Sequence, residues 1–484
     1  MNRSDDNPVL ITNRTFDEME VGEEATLHRV LSKDDILLFA AVSGDVNPAH
    51  VDEEFARSDL FQKIIAHGMW GATLISTVLG TELPGPGTIY LGQTLRFRKP
   101  VAIGDRISTT VTVKEKIEGK SRVIFDCLCR NQRGEEVITG EAEVLAPREK
   151  ITRPRKSLPE VKLIERFARF RELIRMAEPC PPVRTAVVHP VDKATLLNCI
   201  EARKDNLIEP VLIGPERKIR AVAEAAEIDL EGYRIVPVEH SHAAAAKALE
   251  MAEAGEVRMI LKGSLSSEEL LSVLGTSSRA RTERKLTHVH ALDIPTFPRT
   301  LFMTDTEMNV VQDLEAKVGI VQNAVDLMHA LGTATPKVAI LSASDQVDLR
   351  MQSTLDAASL CKMSERGQIS GAIIDGPMPF DIAVSGEKVD RSRFQTSVAG
   401  NAEILVVPDM EAGRILVQQL KRLIDASAAG IVLGLRVPVI LPGPEDNVRT
   451  SAASCALGAI WLRQYEKEDA EKLETPKTRA VPLA

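Results

Sequence analysis

Two rhythms of apolar and polar residues divide this chain. In its first part, residues 89–97, 105–113, 121–129 and 136–145 alternate apolar with polar side chains, the period-two pattern of strands with one buried face. The segment Asn131-Gln132-Arg133-Gly134 between the last two reads as a hairpin turn. Ahead of them, residues 66–79 form an apolar run containing small side chains, too long for a strand and suited to a buried central helix. One buried helix followed by a sheet is an α+β layout, in which the sheet can curl round the helix.

In the later part, short apolar runs without alternation recur between helix-type stretches. Examples are Thr185-Ala-Val-Val-His, Pro210-Val-Leu-Ile-Gly, Met259-Ile-Leu-Lys-Gly, Lys337-Val-Ala-Ile-Leu, Gly371-Ala-Ile-Ile-Asp and Ile404-Leu-Val-Val-Pro. Strands apolar on both faces belong to parallel sheets covered by crossover helices, and about 280 residues suffice for two such α/β lobes. Proline clusters between residues 146 and 182 block regular sheet and mark a linker. The expected domains are therefore 1–146, a Pro-rich linker at 147–182, 183–466, and a charged, frayed tail at 467–484. Within the linker, Val161, Leu163, Ile164, Phe167, Phe170, Leu173 and Ile174 have helical spacing and predict a docked helix over 159–176. Its basic residues Arg148, Lys150, Arg153, Arg155 and Lys156 fit either a solvated linker or contact with a ligand phosphate.

Composition narrows the classes. A chain of 484 residues exceeds one hydrophobic core, and 44% apolar with 27% charged residues is ordinary for folded domains. Acidic residues outnumber basic ones 69 to 60 and aromatics make up only 4%, which argues against nucleic acid as a partner. No apolar run reaches about eighteen residues, and residues 1–13 are polar, so neither a membrane span nor a signal peptide is expected and the chain reads as cytoplasmic. The six cysteines are scattered without paired C-x-x-C sets, so neither a disulfide framework nor a zinc site is expected. Cys127 and Cys129 share one strand face and read as packing residues. No glycine fingerprint for a dinucleotide fold and no Walker-type loop occurs.

Chemistry concentrates in Ser43-Gly-Asp-Val-Asn-Pro-Ala-His50 and Ala66-His-Gly-Met69. Gly44 and Pro48 make the first segment a turn, so Asp45 and His50 can converge. A carboxylate beside an imidazole can hold one water, take its proton and return that proton to carbon. A backbone N–H at the head of the apolar helix can serve a developing oxyanion, and Gly68 there permits close approach. That set suits addition of water to an enoyl thioester. In this order, Gly-Asp-x-Asn-Pro-x-His, His-Gly-Met and Tyr90-Leu-Gly-Gln-Thr-Leu-Arg-Phe resemble the MaoC-like (R)-specific enoyl-CoA hydratases over residues 41–105. The resemblance implies a hot-dog fold, a dimer with CoA near the subunit boundary, and a (3R)-hydroxyacyl-CoA product. Carried over by position, it implies Asp45 and His50 as the catalytic pair, Asn47 supporting their loop, the Gly68 N–H as oxyanion donor and Ser76 orienting Asp45. His67 is read as structural or substrate-proximal.

Residues 183–461 resemble the phosphate acetyl/butyryltransferase family, through Met259-Ile-Leu-Lys-Gly-Ser-Leu, Arg281-Thr-Glu-Arg-Lys-Leu-Thr-His, Ile320-Val-Gln-Asn-Ala-Val, Asp375-Gly-Pro-Met-Pro-Phe-Asp, Val398-Ala-Gly, Pro408-Asp-Met-Glu-Ala-Gly and Arg436-Val-Pro-Val-Ile-Leu. The resemblance implies a two-lobed α/β phosphotransacetylase-like domain with its site in a cleft, moving an acyl group between CoA and inorganic phosphate. Such chemistry needs cations for phosphate and a base for the CoA thiol. The substrate-binding candidates are Arg281, Arg284, Lys262, Ser264, Asp375, Asp381, Arg414 and Asp446. Arg281 and Arg284 fit a phosphate clamp or surface salt bridging beside Glu283, and Lys262 and Ser264 fit a cleft or a solvated loop. Where the family carries Ser-Arg, this chain has Gly443-Pro444, which offers neither a side-chain donor nor a cation. Arg414 replaces the family's Asn and Gln418 its Lys.

The leading expectation is a bifunctional acyl-CoA enzyme, an N-terminal enoyl-CoA hydratase fused to a phosphate acyltransferase-like domain. It is expected to form a homo-oligomer, a dimer or higher, and to need no cofactor and no metal. The alternatives are a monofunctional hydratase with an altered acyl-CoA-binding or oligomerising C-terminal domain, and a hot-dog thioesterase.

Overall fold

A computed structural model describes residues 9–159, 161, 163–386 and 396–474, with side chains described through Lys467. The chain divides into two compact units, Met1–Leu163 and Ile164–Ala484. Among the described residues no helix is long and apolar enough to cross a membrane.

The first unit runs β1 (Leu10–Thr12), β2 (Glu24–Val30), α1 (Lys33–Ser43), α2 (Pro48–Val51), α3 (Glu53–Ser58) and α4 (Gly68–Thr81). It continues with β3 (Ile89–Phe97), β4 (Arg106–Ile117), β5 (Arg122–Arg130), β6 (Glu136–Leu145) and β7 (Thr152–Pro154). Five strands make one antiparallel sheet in the order β2-β4-β5-β6-β3, and β1 pairs separately with β7. Burial alternates residue by residue along β4 and β5, so one face turns inward, as the alternation requires. That face closes on α4, whose Trp70, Leu74, Ile75, Val78 and Leu79 share a core with Val111, Phe125, Ile138 and Val144. Cys127 and Cys129 point into the same core. The expected hairpin turn closes with Gly134 N–H donating to Asn131 C=O at 3.0 Å. Before residue 66 the sequence reading assigns a turn over 43–50 and no regular element, whereas β2 and α1 are present. The start of α1 has a local cause, a capping box between Ser32 and Asp35.

The second unit opens with α5 (Ala168–Ala177), β8 (Val183–Val188), α6 (Lys193–Lys204), β9 (Ile208–Gly214), α7 (Glu216–Ala225), β10 (Arg234–Pro237) and α8 (Ser241–Glu253). Next come β11 (Met259–Lys262), α9 (Ser267–Leu274), β12 (Thr287–Asp293), β13 (Leu301–Thr304), α10 (Leu314–Ala330), β14 (Lys337–Leu341) and α11 (Gln352–Glu365). The last elements are β15 (Ile373–Met378), α12 (Phe380–Val384), β16 (Ile404–Val406), α13 (Met410–Leu423), β17 (Ser427–Leu433), β18 (Val439–Ile440) and α14 (Val448–Glu474). All strands join one sheet, β10-β9-β8-β11-β18-β17-β12-β13-β16-β14-β15. Its two wings are parallel, as the doubly apolar runs predict. Its centre is not: β17 and β12 run antiparallel to each other and to their outer neighbours. For the β12–β13 and β17–β18 pairs the cause is connection length, because residues 294–300 and 434–438 are too short for the crossover a parallel pair needs. Helices cover both faces. Along β8, Val187 enters the core that includes Ala456 of α14, while Ala186 and Val188 enter the one built with Ala244 and Ala248 of α8.

Two boundaries differ from expectation. The helix expected over 159–176 begins only at Ala168, where Phe170 and Leu173 join the second unit's core. The segment expected to fray after Lys467 is helical through Glu474, and residues 475–484 lie outside the described residues.

Candidate functional site

In the first unit, the loop between α1 and α2 is built from its own residues. Gly44 ends α1 in the left-handed region at φ 77°, a conformation that costs a side-chain-bearing residue energy. Pro48 then starts α2, and Asn47 caps it by accepting the Ala49 N–H at 3.2 Å. The Asp45 carboxylate accepts the Asn47 N–H at 3.2 Å, and the Ser43 hydroxyl accepts the Asp45 N–H at 3.2 Å. The turn therefore holds the Asp45 backbone while its side chain stays exposed.

The two histidines are set by carbonyls. His50 Nδ1 bonds the Ile65 C=O at 2.9 Å, and buried His67 bonds the Asp45 C=O through Nε2 at 3.0 Å. A carbonyl only accepts, so Nδ1 of His50 and Nε2 of His67 carry the protons. The ring nitrogens left are His50 Nε2 and His67 Nδ1, and the latter is buried without a hydrogen-bond partner among the described residues. The rings stand 4.0 Å apart, and one donor atom each from Asp45, His50 and His67 lies within 4.8 Å of the others. Beside them α4 begins at exposed Gly68 with no side-chain cap, while the Trp70 N–H in the same turn donates to the His67 C=O at 3.0 Å. Ser76 lies two turns further along α4 and is exposed; among the described residues no hydrogen bond joins it to Asp45.

In the second unit a cleft of about 790 Å³ is lined by Lys262 at the end of β11, Ser267 and Glu268 of α9, His288 and His290 of β12, Glu307, one face of α13, and residues 441–446. On α13, Arg414, Gln418, Lys421 and Arg422 recur at helical spacing and so share that face. Three of the cations are already paired: Arg414 with Glu307, Arg422 with Glu445, and Lys421 with Asp446 at 3.5 Å. Lys262 donates instead to the carbonyls of Gly263 and Leu265, each at 3.3 Å, and burial lowers its pKa against the opposing pull of Asp192 and Asp446. Burial raises the Asp446 carboxyl above the ordinary carboxylate value, opposed by the Gly443 N–H at 2.8 Å and by Lys421. His288 and His290 meet edge to face at 4.3 Å, and His290 Nδ1 bonds the Thr306 hydroxyl at 2.9 Å. Burial pushes His288 down to about 4, and His290 well below the usual imidazole value. Buried Asp305 accepts the N–H groups of His288, Glu307, Met308 and Asn309, fixing the loop that carries Glu307 into the cleft.

Residues 240–459 match the family described as Phosphate acetyl/butaryl transferase, and residues 16–126 match the MaoC like domain. A phosphate acetyltransferase of Rhizobium meliloti is 46% identical over 295 residues, which span 61% of this chain and 93% of that protein. The chain belongs to the phosphate acetyl/butyryltransferase family. Its first unit is a MaoC-like hot-dog domain. A branched-chain phosphotransacylase from Enterococcus faecalis V583 shares the second unit's fold at a TM-score of 0.51, with 24% identity, 58% of this chain and 99% of its own covered. The R-hydratase PhaJ1 from Pseudomonas aeruginosa is 44% identical, with 32% of this chain and 99% of its own covered and a TM-score of 0.31.

Of the family-derived candidates, the cleft collects Lys262, Arg414 and Asp446, with Gly443-Pro444 on its wall. It does not collect the rest. Ser264 faces His189, whose Nδ1 bonds the Ser264 C=O at 2.9 Å. Arg284 pairs with Asp326 and lines a separate pocket of about 330 Å³, and exposed Arg281 bridges to Leu435 through its backbone. Asp375 and Asp381 lie on or after β15, the outermost strand of its wing. The residues that the sequence reading missed are His288, His290 and Lys421. The Thr287-His-Val-His run was the available signal, since alternate residues of a strand share a face and both imidazoles turn to the cleft.

Proposed function

We propose that this chain is a bifunctional acyl-CoA enzyme, hydrating trans-2-enoyl-CoA to (3R)-hydroxyacyl-CoA in its first unit and exchanging acyl groups between CoA and inorganic phosphate in its second. The observation that carries the hydratase reading is the Asp45–His50 pair, a carboxylate and an imidazole whose Nδ1 is held by a carbonyl, on one bent loop beside the uncapped head of α4. Water held by both groups gives up a proton as its oxygen bonds to the β-carbon. The electron pair of the double bond moves toward the thioester oxygen, which accepts from the Gly68 N–H, and the proton then passes to the α-carbon. Asn47 holds the loop, and His67 fastens it through the Asp45 carbonyl. Ser76 is kept as an orienting residue that acts once substrate is bound.

In the second unit, a phosphate oxygen attacks the acyl carbonyl, the C–S bond breaks and the thiolate leaves. In reverse, a base takes the CoA thiol proton. Asp446 fits the base, since its raised carboxyl pKa sits closer to neutrality than an exposed carboxylate's. Lys262 fits the phosphate, with Arg281, Arg284, Ser264, Asp375 and Asp381 left as candidates outside the cleft. One observation favours a second reading, a hydratase with a non-transferring acyl-CoA-binding domain: Gly443-Pro444 removes the family's Ser-Arg while Arg414 and Lys421 are tied to acids.

Self-association is supported by β3, an edge strand with Ile89, Leu91 and Phe97 exposed. Purified protein incubated with crotonyl-CoA should lose the enoyl absorbance without releasing CoA. With acetyl- or butyryl-CoA plus phosphate it should release free thiol. No thiol release alongside active hydration would leave the second reading, and an unchanged enoyl band would remove the first.

A further inference from the structure

We infer that Asp45, His50 and His67 form an inhibitory site for a borderline-soft divalent ion of the zinc type. The idea concerns the same loop as the proposed hydratase chemistry, but binding itself does not depend on that chemistry being correct. Two imidazoles and one carboxylate are a donor set such ions prefer. Each imidazole is held in a defined tautomer by a carbonyl, His50 by that of Ile65 and His67 by that of Asp45, the arrangement that orients metal-binding histidines. His67 adds an independent sign: it is 2% exposed, yet its Nδ1 has no hydrogen-bond partner among the described residues. A buried imidazole nitrogen with an unused lone pair is costly unless something occupies it part of the time.

The spacing is close to that of a bound set. With bonds of about 2.0–2.2 Å, two ligands on a tetrahedral ion stand roughly 3.4 Å apart. One ligand atom each from Asp45, His50 and His67 already lies within 4.8 Å of the others, and Asp45 is exposed, its carboxylate held by the Asn47 N–H. A fourth position stays open to water. The ion would take the lone pairs of His50 and Asp45, so no group on the loop could accept a proton from the attacking water, and hydration would stop until the ion left.

The test uses the full chain freed of metal with EDTA. Titration with Co²⁺ should produce saturable visible d–d bands at one ion per chain, which Zn²⁺ abolishes by displacement. His67→Gln and Asp45→Asn, each checked for fold by circular dichroism, should both lose the bands. Saturating Zn²⁺ should lower crotonyl-CoA hydration at least tenfold, with EDTA restoring it. Absence of the bands, or bands that persist in both variants, overturns the site. Bands that vanish in the variants while Zn²⁺ leaves hydration intact overturn the inhibition. Hydration measured in EDTA tests the enzyme reading separately, so a protein that binds cobalt but never hydrates would refute that reading and not this one.

Discussion

The Asp45–His50 loop of the MaoC-like unit and the cleft of the second unit handle charge in opposite ways. On the loop, Asp45 is exposed, and among the described residues its carboxylate accepts a backbone amide and pairs with no Lys or Arg. In the cleft, Arg414, Lys421 and Arg422 each face a carboxylate, and the acids Glu268, Glu307, Glu445 and Asp446 match the cations Lys262, Arg414, Lys421 and Arg422 in number. A group that moves a proton must be free of a lasting ionic partner, and in the cleft this applies to Asp446, paired with Lys421, as much as to the cations that phosphate must draw off. The loop meets its requirement as it stands. The cleft meets its own only if substrate breaks internal pairs, which costs part of the binding energy.

Substitutions on the loop give the largest expected effect and separate the two regions. Asp45→Asn or His50→Gln should cut crotonyl-CoA hydration about a thousandfold, the usual worth of a general base. Phosphate-dependent thiol release by the same preparations should stay at the wild-type rate. A parallel loss of both activities would mean that the two regions do not work independently.

Mild acid should single out the second unit. His288 is held at about 4 by burial against an ordinary 6.5, so between those values the unfolded chain binds a proton that the folded one refuses. Stability is therefore complete above pH 6.5 and falls as the pH drops to 4, by about 3 kcal/mol in all. His290 shifts in the same direction and adds to it. Urea unfolding followed by Trp461 fluorescence in a Trp70→Phe background reads the second unit alone, because the chain has 2 Trp. A midpoint independent of pH across this window would show that His288 is not buried as neutral imidazole.

Restoring the family's side chains should narrow the contrast. Gly443→Ser with Pro444→Arg returns a donor and an unpaired cation to the cleft wall, and thiol release should rise about tenfold, the worth of one charge-assisted hydrogen bond. A fall would show that Asp446 depends on the present loop, whose Gly443 N–H it accepts at 2.8 Å.

How far each region is legible in the sequence follows from the same contrast. The bounds expected over 89–97 and 136–145 match β3 and β6 to the residue, while the alternating burial of a sheet with one wet face is seen along β4 and β5 and not along edge strand β3. The loop reads as well, since Asp45, Asn47, Pro48 and His50 act within a few residues of one another. The centre of the large sheet does not read: β12 and β17 are buried on both faces, and such strands look alike whether parallel or antiparallel. Nor does the cleft, because Lys262, His290, Lys421 and Asp446 come from four separate segments that only the topology brings together. Motif position placed Asp375 and Arg284 on equal terms with Asp446, and only the fold separates them.

The smallest effect probes the helix head that completes the loop. A Cβ built on Gly68 would stand 3.0 Å from Cε1 of Phe97 and 3.2 Å from its Cζ, tighter than a relaxed contact. Phe97 ends β3 and is 54% exposed, so its ring can yield by a few tenths of an ångström and the fold should survive. The amide of residue 68 remains in Gly68→Ala but shifts against the thioester, and the new methyl crowds the approach. Removing an oxyanion donor outright costs about a hundredfold to a thousandfold. Displacing one should cost less, about tenfold in kcat for hydration with thermal stability nearly unchanged. Phe97→Leu introduced beside Gly68→Ala should recover part of that loss by giving the methyl room. If Gly68→Ala hydrates at the wild-type rate, the oxyanion is held elsewhere and the head of α4 serves only to position the loop.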